Sequence, residues 1–61
     1  MSEEAKKRVL EVLKSEAKGA AALTVSKKAG LPLMDTVRAL EELAAAGLVE
    51  KKGKTYRLLK T

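Results

Sequence analysis

The sequence predicts a mainly α domain of three short helices that ends in a small β-hairpin, and three observations carry that expectation. Apolar residues recur at helical spacing in three segments before residue 47. Gly19, Gly30 and Gly47 each stand just past one of those segments, and Pro32 opens the third. The tail LVEKKGKTYRLL then sets two short strand-like runs on either side of Gly53.

The first helix is expected from Glu3 to about Ala17. Ala5, Val9, Val12, Leu13 and Glu16 or Ala17 share one stripe, Ser2 can cap the N-terminus, Glu3 and Glu4 suit the helix dipole, and Gly19 is the stop. The second should run from about Ala22 to Ala29 and bury Val25, Ser26 and Ala29, with Gly30 in the left-handed conformation that ends it. Its start carries no Ser, Thr, Asp or Asn cap, which leaves Ala20 and Ala21 open to a strand of one or two residues.

The third helix is expected over residues 32–46, with Pro32 at its first position and Gly47 after its end. Thr36, Ala39, Leu40 and Leu43 follow the i, i+3, i+4, i+7 rule and face the core, while Leu33, Met34, Val37, Arg38 and Glu41 are assigned to the opposite side. In the hairpin, over about 48–59, Val49, Tyr56 and Leu58 are the candidates for the buried face. Residues 1–61 read as a single domain without repeat or linker, and at this length a chain buries only about 60% of the surface its unfolded form exposes.

Composition narrows the function. With neither Cys nor His, the commonest metal ligands and proton carriers are missing, so no catalytic residue, metal or cofactor is expected. No apolar run approaches the ~20 residues of a membrane span, and the charged N-terminus does not read as a signal peptide; an intracellular protein without a membrane or small-molecule partner is expected. Net charge is +5, which favours a polyanionic partner, and residues 47–61 hold Lys51, Lys52, Lys54, Arg57 and Lys60 against Glu50 alone. Ile, Phe, Trp, His, Cys, Asn and Gln are all absent, a vocabulary of idealised, designed sequences that hyperthermophile proteins partly share.

Helix, short helix, Gly turn, helix and basic hairpin, in that order, resemble the winged helix-turn-helix domains of bacterial repressors and of Z-DNA-binding proteins. The likeness covers nearly the whole chain, from VLEVL at Val9 to Leu13, through VSKKAGL at Val25 to Leu31, to TVRALEELAAAGLV at Thr36 to Val49. It is sharpest at Ala39 to Val49, where the third helix hands over to the wing. The resemblance implies double-stranded DNA binding, with the third helix in the major groove and phosphates at the second helix and the wing. Leu33, Met34, Val37 and Arg38 would then face bases, and Lys27, Lys28, Lys51, Lys52 and Lys54 would face the backbone. The Asn and Tyr positions of the Z-DNA-binding subclass correspond to Val37 and Glu41, so the repressor-like likeness is the one carried forward.

Each of these residues also has a plainer reading. Arg38 could grip guanine O6 and N7, or pair with Asp35 or Glu41 on a solvated helix. Leu33, Met34 and Val37 could meet thymine methyls or a protein partner, and Leu33 could instead fold against Leu31. Asp35 fits the helix dipole better than a cytosine amino group, and Glu41 and Glu42 read as solubilising charges that keep DNA from the later turns. The lysines of KKGK suit a phosphate contact or a solvated hairpin tip, Lys6, Lys7 and Arg8 a solvated face, and Tyr56 the core. The sequence-based expectation is a monomeric, transcription-regulator-like DNA-binding module, against a protein-interaction or purely structural winged helix.

Overall fold

The computed structural model describes residues 3–59, so the expected cap Ser2 and the terminal base Lys60 lie outside the described residues. Helix α1 spans Glu3–Lys14, strand β1 Ala20–Ala21, α2 Ala22–Ala29, α3 Leu33–Ala45, β2 Val49–Lys52 and β3 Thr55–Leu58. The strands form one antiparallel sheet in the order β1-β3-β2. The central strand is therefore the last one in sequence.

Helix α1 buries Ala5, Val9 and Leu13, the i, i+4, i+8 positions of its stripe, and Val12 packs at the edge of the core. It ends about three residues earlier than its periodicity suggests. The Ser15 hydroxyl donates to Val12 O (2.8 Å) beside the backbone bond from Ser15 N to the same oxygen (3.0 Å), and Glu16 N and Gly19 N each reach back three residues. A serine that offers the backbone a local alternative competes with helix continuation, and Ala17 is left exposed.

Helix α2 starts without a side-chain cap at Ala21 and closes on Gly30, whose φ of +70° and ψ of +36° are left-handed as expected. Leu31 N then bonds back to Ser26 O (3.0 Å). The expected face is present: Val25 and Ser26 are buried and Ala29 is half-buried. Ala20 and Ala21 do form a two-residue strand, opposite Tyr56 and Thr55 of β3.

Helix α3 begins one residue later than expected, with Pro32 at the capping position (ψ +148°) and its carbonyl accepting from both Thr36 N (3.0 Å) and Thr36 Oγ1 (3.1 Å). Thr36, Ala39, Leu40 and Leu43 are all buried. The helix closes in a Schellman arrangement, in which Leu48 N bonds to Leu43 O (2.9 Å) and Gly47 N to Ala44 O (3.0 Å). Burying two hydroxyl side chains costs little, because Ser26 Oγ donates to Leu23 O (2.8 Å) as Thr36 does to Pro32 O.

In the core, α1 lies against α2, α3 and β3, and α3 carries β2 at its end. Val49 and Tyr56 are buried and Leu58 is half-buried, so the inner face of the sheet is the expected one. No helix among the described residues is long and apolar enough to cross a membrane.

Candidate nucleic-acid interface

Helix α3 presents its faces by geometry. At ~100° per residue around the centre of the buried stripe, Met34, Arg38 and Glu41 point most directly away from the core, whereas Leu33 and Val37 lie together on one flank. Burial agrees with this division. Met34 is 65% exposed, Leu33 44%, and Val37 is half-buried, so Val37 belongs to the rim of the core and is not fully on the opposite side. Arg38 is exposed, and neither of the ion pairs open to it, with Asp35 or Glu41, is formed.

Acids elsewhere are largely neutralised by partners. Lys6 bridges Glu3 and Glu42 at 3.4 Å each, Arg8 meets Glu4 at 3.0 Å, Lys14 meets Glu11 at 3.6 Å, and Arg57 meets Glu50 at 3.0 Å. Glu42 is thus a tie between α1 and α3 as well as a solubilising charge. The field of Glu3 and a hydrogen bond to Glu42 hold the Lys6 ammonium above its ordinary range. Lys28 is engaged by Glu16 from the turn after α1, while its neighbour Lys27 is exposed without an ion pair.

In the wing, Gly53 (φ +62°) and Lys54 form a two-residue turn, with Thr55 Oγ1 donating to Lys52 O (3.0 Å). Successive side chains of a strand point to opposite faces. Lys51 therefore shares the inner face with Val49, opposite Tyr56, and its Nζ stands 5.8 Å from the centre of the Tyr56 ring. Lys52 and Thr55 are on the outer face with the Glu50–Arg57 pair. The three lysines ring the tip, one on each face and one in the turn.

Two exposed apolar residues were not anticipated from the sequence, Leu48 before β2 and Leu23. Leu23 in the first turn of α2 is 53% exposed. It sits ~200° around the helix from Val25, so the wheel that buried Val25 already placed it outward. Among the described residues no group of three or more acidic or other ligating side chains could hold a metal.

A helix-turn-helix in which α2 and α3 are joined through Gly30 to Pro32, closed by a three-stranded sheet with a projecting basic hairpin, is a winged helix-turn-helix fold. No protein-family model and no curated protein matches the sequence. Among solved structures the chain is similar to the ORF112 Zalpha domain of Cyprinid Herpesvirus3, determined to describe the binding mode of that domain to Z-DNA. The TM-score is 0.88 at 24% identity, over 97% of this chain and 98% of that one. The likeness shows the winged helix-turn-helix fold that the order of helices, Gly turn and basic hairpin leads one to expect.

Proposed function

We propose that the domain binds double-stranded DNA, with the first two turns of α3 in the major groove and the wing against the backbone. The observation that carries this reading is the distribution of unpaired charge. Among the described residues the cations without an ion-pair partner are Lys27, Arg38 and the wing lysines Lys51, Lys52 and Lys54, together with Lys7 and Lys18 elsewhere, whereas of the acids only Asp35 and Glu41 are unpaired. Unpaired lysines around a hairpin tip are free to displace the counterions of a phosphate backbone. The α2 amides, with no side-chain cap and no acid in their first turn, suit a phosphate as well.

Exposed acids limit how the helix can enter. Helix α3 carries Arg38 against Asp35, Glu41 and Glu42. With Glu41 beside Arg38 on the outward face, insertion stops after the second turn. The base-facing set is then Met34 and Arg38, with Leu33 and Val37 at one flank and Asp35 at the other.

The test is binding to random duplex as a function of salt. Log affinity should fall linearly in log salt with a slope near −0.9 per neutralised phosphate, for roughly three to five phosphates. No detectable binding at about 50 mM salt removes the proposal. A left-handed duplex is the second reading, supported by what the ORF112 Zalpha domain binds. Val37 and Glu41, standing where the resemblance implies Asn and Tyr, weigh against it. Circular dichroism of an alternating dC-dG duplex separates the two, since inversion of the spectrum on adding protein marks the left-handed form.

A further inference from the structure

We infer that the first two turns of α3 discriminate C5-methylated pyrimidines, so that a step of 5-methylcytosine followed by guanine is bound more tightly than the same step without the methyl group. The inference rests on the DNA-binding reading above and names the substrate class of that site.

Three side chains on the exposed surface of α3 supply complementary chemistry. Among the described residues Met34 is the most exposed of the large apolar side chains, at 65%. It has no hydrogen-bond donor and only a weak sulfur acceptor, so against a base edge it responds mainly to apolar surface, and its flexible, polarisable thioether can close over a methyl group. Arg38 lies four residues further along the same outward face and is free of ion pairs, which leaves its fork available for guanine O6 and N7. Asp35, exposed and likewise unpaired, stands at i, i+3 from Arg38 and ~100° around the helix from Met34, at the edge of the outward face.

The spacing matches a short step. Four residues of helix rise ~6 Å, and stacked base pairs are ~3.4 Å apart, so Met34 and Arg38 stand over pairs one or two steps apart. In the major groove thymine offers a C5-methyl and an O4 acceptor, whereas cytosine offers an N4 donor. 5-Methylcytosine combines the methyl with the N4 donor. A carboxylate at Asp35 accepts from N4 and is opposed by O4, which makes 5-methylcytosine a better match than thymine for the pair Met34 and Asp35.

A groove edge suits this patch better than a protein does. Leu33 and Met34, even with Leu23, leave on the order of a few hundred Å² of apolar surface, no more than the largest patch of a typical monomer. The exposed cations Lys27 on α2, the helix packed against α3, and Lys51, Lys52 and Lys54 on the wing complement a polyanion.

The experiment compares four duplexes of one non-alternating sequence, kept right-handed as monitored by circular dichroism. They carry at one position a cytosine–guanine step, its 5-methylcytosine form, a thymine–guanine step or the uracil equivalent. The parent protein should bind the methylated cytosine step about fourfold more tightly than the unmethylated one, the fold-change equal to one buried methyl at ~0.8 kcal/mol. Thymine should fall between 5-methylcytosine and uracil. Met34→Ser, an exposed change whose thermal unfolding is measured alongside, should bring the ratio of affinities between the methylated and unmethylated cytosine steps to one. Equal binding of methylated and unmethylated steps overturns this inference and leaves DNA binding standing; a methyl preference that survives Met34→Ser overturns its assignment to α3. Absence of binding to every duplex overturns the DNA reading itself.

Discussion

A Cβ placed on Gly19 would lie 2.9 Å from the carbonyl oxygen of Tyr56 and 3.1 Å from Arg57 Cβ, so the turn before β1 runs directly against β3. Gly19 also has a φ of +92°, a region that side-chain-bearing residues rarely adopt. Gly19→Ala should therefore combine backbone strain with a clash against backbone atoms, for a loss of ~2 kcal/mol or more. Gly30→Ala at φ +70° meets nothing within 4 Å and should lose only ~1–2 kcal/mol. Urea unfolding of the two variants measures the difference; equal losses would show that the close approach to β3 contributes nothing.

The Lys6 ammonium ties α1 to α3 through Glu42 while it also pairs with Glu3. Its pKa is raised above 10.5, mainly by the field of Glu3 and next by the hydrogen bond to Glu42. The folded state thus holds this proton more tightly than the unfolded chain does. The resulting stabilisation is fully present below the unfolded value of ~10.4 and is lost as pH rises through the raised folded value. The melting temperature of Lys6→Met should lie below that of the parent by a constant small margin from pH 7 to about pH 9, and the margin should shrink above about pH 10.5. A margin that persists unchanged at high pH assigns the effect to packing of the lysine stem instead.

Lys52 and Lys54 occupy the outer face and the turn of the wing, with no acid paired to either. Replacing both with Ala should weaken binding to all duplex sequences alike and reduce the magnitude of the salt slope by about 2. Phosphate contacts position a protein and do not select bases. If preference among sequences changed while affinity for random duplex held, the wing would have to be reassigned to base reading.

Most of the fold was legible because local signals agreed with one another. The stripe Thr36, Ala39, Leu40 and Leu43 could be read from period alone, and Gly30 from the need for a left-handed residue after α2. The end of α1 was less legible, since apolar spacing continues past Lys14 while Ser15 turns the backbone at Val12 O. Two-residue β1 had only a missing cap to announce it, and its pairing with β3 joins residues far apart in sequence. The lysines and Arg38 were visible as candidates, but which cations are spent internally was not. Glu16 takes Lys28 across 12 positions and Glu42 takes Lys6 from another helix, contacts that no local pattern encodes. Val37 was placed outward by its spacing, and its burial at the edge of α3 follows from neighbours brought together only by the tertiary fold.

Arg38 separates charge from geometry. It is exposed and makes no ion pair, so Arg38→Ala and Arg38→Lys should each change folding stability by no more than ~0.5 kcal/mol. Their effects on binding should diverge from that baseline. A guanidinium offers two parallel donors that match guanine O6 and N7, whereas an ammonium is a compact point charge without that fork. Arg38→Lys should therefore retain the salt slope but lose ~1–3 kcal/mol of preference for guanine at the matching position. Arg38→Ala should lose the same preference and additionally flatten the slope if the side chain also neutralises a phosphate. Competition binding with guanine replaced by 7-deazaguanine, which lacks the N7 acceptor, should reproduce most of the loss in the parent protein and add little to either variant. Undiminished guanine preference in Arg38→Lys would mean that the fork is not what reads the base, and that the contact at this turn of α3 is made through charge alone.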